Sequence, residues 1–197
     1  MSVARPARTL MRRRFLRWGT LGLVAGLVWA FAMPQSDGGK VDETDTIAIM
    51  KANFLFHFAA ANDWPEDVKV GTFRIGIVGN DRLVEELVDK YAMKPIRQQV
   101  LEIVPLKKKD VAAGPPDPFC HVLYVEAGQG DLGVLSEALH DSPTMLVSHE
   151  AAGLSKGALI NFVTQANRLR FSIDQEEAKR RKLLIGNKIL SWAVADE

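Results

Sequence analysis

The sequence predicts an α/β domain in which a mainly parallel sheet carries helices on both faces, in a Rossmann-like three-layer arrangement, with an antiparallel hairpin near the C-terminus. Three observations predict this fold. Strand-length apolar runs alternate with segments of helical periodicity through the first two-thirds of the elements, which is typical of parallel pairing. Residues 122–125 are apolar throughout, as expected of a strand covered on both faces. Residues 168–173 alternate apolar and polar side chains after a connection of hairpin length, 164–167.

The composition is that of a globular protein with a basic extension at one end. The chain has 197 residues, 47% hydrophobic and 25% charged, which excludes bulk disorder. Its single cysteine, Cys120, excludes an intramolecular disulfide and a zinc ribbon. Residues 1–32 contain six arginines and no acid, so the rest of the chain has 19 bases against 24 acids, a net charge of −5. An acidic body of this kind argues against nucleic-acid binding.

The N-terminus has the layout of an export signal. A basic stretch, 11–19, precedes an apolar run, 20–33, that is shorter than the about 20 apolar residues of a membrane span. The small-x-small triplet 30–32 predicts cleavage after Ala32. Residues 12–17 also resemble a twin-arginine signal, and ordinary secretion stays open beside that route. An uncleaved anchor on the outer face of the inner membrane is a further alternative, and all of these place the domain outside the cytoplasm.

The predicted domain organisation follows from this layout. Residues 1–32 form the signal peptide, and residues 33–44, rich in turn formers and polar residues, form a linker. The α/β domain is expected to occupy 45–197.

A helix over 45–62 opens the domain, because five apolar residues recur there at three- and four-residue steps. Asp45 or Thr46 is expected to cap its first turn, and Trp64-Pro65 to end it. Trp64 is expected to pack beside the helix with its indole N–H bonded to the backbone. The apolar face comprises Ile47, Met50, Phe54, Phe58 and Ala61.

The next elements alternate between strand and helix. A strand over 73–79 precedes Asn80, the expected cap of a helix. A second strand is predicted over 96–104. The lysine run 107–109 and the proline-rich stretch 114–118 are expected to be exposed loops. The predicted buried side of the helix comprises Leu83, Val84, Leu87 and Val88.

The remaining elements complete the sheet. Asn167 is expected to take a left-handed conformation in the hairpin turn. Asp174 and Glu177 form a capping pair that opens a helix, and Gly186-Asn187 separate this helix from the last one. The predicted segments are a strand over 121–125, a helix over 131–139, and strands over 144–148, 158–163 and 168–173.

Motifs that could support catalysis have simpler interpretations. Cys120 and His121 are adjacent on a strand, so their side chains should point to opposite faces. Ser148-His149-Glu150 contains the residue types of a hydrolase triad but lacks a nucleophile elbow. The four histidines form no metal-ligand pair at helical spacing. We therefore expect no enzymatic activity, no metal and no cofactor.

Three residues are candidates for binding a partner or a ligand. His149 follows a predicted parallel strand, at the end where open α/β sheets bind ligands. Arg168 and Arg170 share the open face of one strand, where they would recognise a carboxylate or the acids of a partner. Simple solvation of a surface strand is the alternative for both arginines. The loop of His149 is expected to reach that face or the adjacent strand ends.

Taken together, the segments resemble the YfiR family of periplasmic proteins over roughly residues 45–194, with order and spacing kept. Each motif alone is weak, but the ordered set is fairly specific. Lys182 and Gly186-Asn187 depart from the usual family pattern. The segments that carry the resemblance are 51–58 running into Trp64-Pro65, then 73–79, 120–125, 157–174 and 182–190.

The resemblance implies a periplasmic, non-catalytic regulator. Its best-understood members bind the periplasmic sensor part of a membrane diguanylate cyclase and hold it inactive, which lowers cyclic-di-GMP and restrains biofilm formation. The implied partner is a membrane protein with a periplasmic sensor domain, either a diguanylate cyclase or a histidine kinase. Some members are dimers with regulatory disulfides. Here a homodimer stays open, whereas Cys120 alone excludes an internal redox switch. The alternative hypothesis is a periplasmic sensory subunit that binds a small ligand near His149.

Overall fold

The structure is a computed structural model, and it describes residues 43–195. The predicted signal peptide and nearly all of the linker lie outside the described residues. None of the helices between residues 43 and 195 has the length and apolar character that a bilayer span requires.

Six strands form one sheet in the order β2-β1-β3-β4-β5-β6. All neighbouring strands are parallel except the last pair, which is an antiparallel hairpin. This arrangement confirms the predicted α/β fold, including the hairpin. The strands are β1 (Thr72–Val78), β2 (Val100–Leu106), β3 (Val122–Glu126), β4 (Met145–His149), β5 (Ile160–Gln165) and β6 (Arg168–Ile173).

Helices cover both faces of the sheet and bury two apolar clusters. Along β3, Val122 and Tyr124 belong to the larger cluster with α1 and α2, whereas Leu123 and Val125 belong to a second cluster with α3 and α4. We refer to these two sides as the α1 face and the α4 face. The helices are α1 (Glu43–Ala61), α2 (Asp81–Tyr91), α3 (Lys108–Val111), α4 (Leu132–Ala138), α5 (Gln175–Arg180) and α6 (Asn187–Leu190), with a 3-10 turn at Glu66–Val68.

The first helix is rotated from its predicted orientation. Ala52, Leu55 and Phe58 are fully buried along α1, and of the predicted apolar face only Phe58 is among them. Apolar residues occur on nearly every side of α1, so their spacing did not determine which side packs on the sheet. The predicted cap is wrong, because Asp45 lies within the helix and pairs with Arg82 at 2.7 Å.

Trp64 packs in the core, but without the predicted hydrogen bond. Its ring lies edge-on to Phe73, with 5.0 Å between centroids. The buried indole Nε1 has no hydrogen-bond partner within residues 43–195, so the expected bond to the backbone is wrong.

Local signals in the later elements are mostly confirmed. The Asn80 side chain accepts a hydrogen bond from the Leu83 N–H at 2.9 Å and so caps α2. The Asp174 carboxylate caps α5 by accepting from the N–H groups of Glu176 and Glu177. Asn167 has a φ of 58°, the left-handed conformation expected in the hairpin turn.

Two element boundaries differ from the predicted ones, because hydrogen bonds between residues three apart in the chain stabilise a turn at each position. The strand predicted from residue 96 begins at Val100, since Ile96 and Gln99 exchange backbone hydrogen bonds of 3.0 and 2.9 Å across a tight turn. The lysine run is exposed as predicted, but it opens α3 instead of remaining a loop. The Lys107 N–H donates to the Asp110 carboxylate at 2.8 Å, which supports this first turn.

Two further predictions about the helices are wrong, one on the buried side of α2 and one on the start of α6. Val88 is 44% exposed on α2, so it does not belong to the buried side. Asn187 begins α6 and is not part of the separating turn. Residues 181–186 separate the two helices, and a Cβ at Gly186 would collide with the Ala61 carbonyl oxygen.

Cys120 is a core residue, as predicted. It is 1% exposed, and its Sγ lies beside Gly76 on the α4 face. The neighbouring His121 ring stacks on Phe73 at 4.2 Å on the α1 face, so thiol and imidazole diverge.

We expect Cys120 to be inert in the folded protein. Burial raises the pKa of its thiol to about 12, so the reactive thiolate is scarce at neutral pH. A thiol-reactive dye should label the domain only after denaturant is added, and oxidant should leave the melting temperature unchanged. A Cys120→Ser variant serves as the control for labelling. A thiol-dependent melting shift would instead indicate an intermolecular disulfide.

Candidate functional site

The carboxyl ends of β1, β3 and β4 bring polar side chains together on the α1 face. β1 has β2 on one side and β3 on the other, so the gap at the carboxyl ends of β1 and β3 is the topological switch point, where open α/β sheets bind ligands. Asn80 lies just after β1, Glu126 is the last residue of β3 and His149 is the last residue of β4.

A buried ion pair forms the centre of this site. Lys51 projects from α1 with only 3% exposure, and its Nζ donates to the Tyr124 hydroxyl at 2.6 Å and to Glu126 Oε2 at 3.0 Å. Glu126 also accepts hydrogen bonds from the Tyr124 hydroxyl at 2.9 Å and from the Asn80 side-chain amide. Four side chains from α1, β3 and the start of α2 are thereby joined. Sequence analysis missed this network.

The electrostatics of the network favour a stable ion pair. Burial alone would raise the pKa of Glu126, but the Lys51 ammonium and the hydrogen bonds from Asn80, Lys51 and Tyr124 lower it overall. Burial lowers the pKa of Lys51, and Glu126 opposes that shift. Burial, then the charge of Glu126, raises the pKa of Tyr124, which therefore remains a phenol that donates its proton.

His149 lies beside this pair on the α1 face. Its Nδ1 is 4.0 Å from Glu126 Oε1, and its ring meets Phe162 edge-on at 6.3 Å. Burial, and then the charge of Lys51, lower the pKa of His149, so its imidazole is neutral at neutral pH. The arrangement offers a mostly buried carboxylate and a neutral imidazole to a small polar molecule.

A cavity of about 300 Å³ opens over the network. Its volume is at the lower end of small-molecule pockets, which start at about 300 Å³. It is lined by Thr44, Ile47, Ala48, Lys51, Asn80, Arg82, Glu126 and His149.

The hydrolase-like triplet does not assemble. Ser148 points to the α4 face, where its hydroxyl donates to Asn161 Oδ1 at 2.7 Å, while His149 points to the α1 face. Asn161 also holds the loop that follows β4. Its Oδ1 accepts a hydrogen bond from the Glu150 N–H at 3.2 Å, and its Nδ2 donates to the Glu150 carbonyl oxygen at 3.0 Å.

Within residues 43–195 there is no group of three or more histidine, cysteine or acidic residues arranged to hold a metal ion.

The structure does not bring the three predicted site residues together. Arg168 and Arg170 alternate with Leu169 and Phe171 along β6, and the latter two belong to the core on the α1 face. The arginines therefore project from the α4 face, opposite to the His149 side chain. Both are exposed and form no ion pair with a carboxylate of residues 43–195.

A second cavity, of about 580 Å³, lies on the α4 side of the hairpin. It is a partly open cavity between the loop after β4 and strand β5, and Asn161 and Ser172 contribute to its wall. The C-terminal segment closes one side, where the Val194 N–H donates to the Phe171 carbonyl oxygen at 2.9 Å. No sequence motif indicated this cavity, because its walls come from four separated parts of the chain, 149–155, 161–165, Ser172 and 194–195.

Comparison with known proteins yields one finding. The profile of a family described as YfiR/HmsC-like matches residues 48–194, nearly all of the described domain. A comparison with curated proteins finds no match. The family match agrees with the ordered motifs of the sequence, from the helix before Trp64 to the C-terminal helices. The chain belongs to the YfiR/HmsC-like family.

Proposed function

We propose that the protein is a non-catalytic periplasmic regulator that binds the periplasmic sensor part of a membrane signalling protein. The proposed partner is a diguanylate cyclase, which the protein represses, so that cyclic-di-GMP falls and biofilm formation is restrained. The family match over residues 48–194 is the observation that carries this proposal. The basic and apolar N-terminus, which has the layout of an export signal, supports the location.

Strand β6 supplies the proposed contact with the partner. It is the last strand in the sheet order, and Arg168 and Arg170 extend from it about 6–7 Å apart. Neither guanidinium is neutralised by a carboxylate of residues 43–195, so both can pair with the acids of another protein. The partner would then cover the α4 side of the hairpin.

Charge reversal at β6 tests this contact. Arg168→Glu combined with Arg170→Glu should abolish binding to the solubilised membrane partner, because reversed charges at a complementary contact cost several kcal/mol. The melting temperature should barely change, since both side chains are exposed. Affinity and cellular cyclic-di-GMP are the measurements.

The matched control is Lys107→Glu with Lys109→Glu, which makes the same charge change at the exposed start of α3. That variant should bind and repress normally. If the β6 variant also represses normally with its fold intact, this face is not the contact.

A second candidate function, a sensory subunit for a small ligand, is favoured by the two cavities. The cavity of about 580 Å³ is large enough for a small organic molecule. The cavity of about 300 Å³ adds a carboxylate and an imidazole at the switch point. This candidate requires a small molecule to raise the melting temperature of the isolated domain without any partner.

A further inference from the structure

Four rings form a continuous row across the outer side of the helical layer on the α1 face. The Phe56 ring stacks on Tyr91 with 4.3 Å between centroids. His57 meets Phe56 edge-on at 6.0 Å, and Trp192 meets His57 at 5.7 Å. The row therefore runs from α2 across α1 to the segment after α6. Tyr91 is buried, and Phe56 and Trp192 pack against the core, so the row presents only the partly exposed edges of Phe56, His57 and Trp192 to solvent.

A lysine lies at each end of this aromatic row. Lys94 Nζ is 4.7 Å from the Tyr91 ring centroid and 5.7 Å from that of Phe56. Lys188 Nζ is 4.9 Å from the Trp192 ring centroid. Both are cation–π contacts, which orient an ammonium without neutralising it.

These two charges are uncompensated on an otherwise acidic body. Neither Lys94 nor Lys188 forms an ion pair with a carboxylate in the described part of the chain. Lys90, four residues before Lys94, by contrast pairs with Glu86 at 2.8 Å. The chain beyond residue 32 carries a net charge of −5, so a local positive surface here contrasts with its surroundings.

His57, in the middle of the row, adds no charge of its own. Burial, and then the positive charge of Lys188, lower the pKa of its imidazole, so the ring is neutral at neutral pH. The surface therefore combines a neutral aromatic centre with one cation at each end. Aromatic residues are enriched at protein interfaces, and charge complementarity selects the partner.

We infer that the aromatic row, with Lys94 and Lys188, is a docking surface for an acidic segment of a protein partner that places an apolar side chain on the rings. The acids of the segment would pair with the two lysines. The inference rests on the proposed function only for the identity of the partner, the membrane signalling protein. The row lies on the opposite face of the domain from Arg168 and Arg170, so the two contacts can be tested separately.

A membrane surface fits these observations less well. Each lysine near an anionic bilayer contributes about 1 kcal/mol, so two lysines give weak attraction, and a body of net charge −5 is repelled. An acidic protein segment is small enough to contact only the two lysines and the rings, so the net charge of the rest of the domain opposes its binding less.

Charge reversal at the row is the first test. Lys94→Glu with Lys188→Glu should weaken binding to the solubilised membrane partner by about 100-fold or more. Lys94→Gln with Lys188→Gln should weaken it less, and wild-type binding should weaken as salt rises. The same Lys107→Glu and Lys109→Glu control should leave affinity unchanged. Melting curves establish that each variant is folded.

Site-specific crosslinking in intact cells is the second test. A photo-crosslinking residue at Ala60, exposed one turn beyond His57 on α1, should form an adduct with an acidic segment of the partner. The same residue at Val134, exposed on α4, should not form that adduct.

Several outcomes separate this inference from the proposed function. Wild-type affinity in the folded Lys94→Glu, Lys188→Glu variant overturns the inference and leaves the regulator proposal standing. Row-dependent binding to vesicles of phosphatidylglycerol, or an adduct with a second copy of this chain, also overturns it. An adduct at Ala60 with an acidic segment of a protein that is not a signalling protein supports the surface and contradicts the proposed function.

Discussion

Replacing Arg181 with alanine is expected to lower the free energy of unfolding by about 3–5 kcal/mol, the loss typical of breaking a buried ion pair. Arg181 is fully buried, and its Nε donates to Glu177 at 2.6 Å. Its two other nitrogens donate to the carbonyl oxygens of Leu139, Thr144 and Ser136 and to the Ser136 hydroxyl. One guanidinium thereby ties α5 to α4 and to the start of β4.

The cost of Arg181→Ala arises mainly from the acceptors that it leaves behind. Glu177 would lose its buried cation, and the oxygens of Leu139, Thr144 and Ser136 would lose a donor inside the protein; buried groups left without partners cost free energy. Denaturant unfolding monitored by circular dichroism gives the change in free energy.

Arg180 is the matched control for this experiment. It pairs with the same carboxylate, Glu177, at 2.8 Å, but its side chain is 53% exposed. Arg180→Ala removes the same charge and should cost no more than about 1 kcal/mol, as is usual for surface ion pairs. Equal losses in the two variants would contradict the role given to burial.

Replacing Phe58 with alanine is also expected to cost about 3–5 kcal/mol, the usual loss for a large buried aromatic residue. The Phe58 side chain is fully buried, and its ring packs against Phe54, Phe162 and Phe171 with centroid distances of 6.1, 5.9 and 4.8 Å. The substitution opens a cavity where α1 meets β5 and β6.

Met93→Ala provides the comparison for Phe58→Ala, because Met93 is 96% exposed and its truncation opens no cavity. Its cost should stay within about 0.5 kcal/mol. Melting temperature and denaturant midpoint measure both variants. A loss below about 1 kcal/mol for Phe58→Ala would mean that α1 does not pack on the hairpin through this ring.

Much of the fold could be predicted because its signals are local. Asn80 and Asp174 cap their helices through backbone N–H groups two or three residues away, so the sequence alone contains both partners of each bond. The alternation along residues 168–173 and the turn at Asn167 likewise depend on neighbours in the chain. Parallel pairing followed from the alternation of strands and helices.

The candidate site was less predictable, because its contacts join distant segments. Lys51 meets Tyr124 and Glu126, which are 73 and 75 residues further along the chain. A lysine within an apolar helix was the available signal, but its partner depends on which strand α1 covers. The same holds for Arg181, whose acceptors include a carbonyl 45 residues earlier in the chain.

The sequence by itself determined the class of fold, the order of its strands, the core position of Cys120 and the family resemblance. Each of these depends on periodicity, on neighbouring residues or on ordered motifs. Only the tertiary structure decided the rotation of α1, the Lys51–Glu126 pair and the separation of His149 from Arg168 and Arg170 on opposite faces. These features depend on which side chains the folded chain brings into contact, because a charge is stable in the core only where polar or charged partners compensate its loss of solvation.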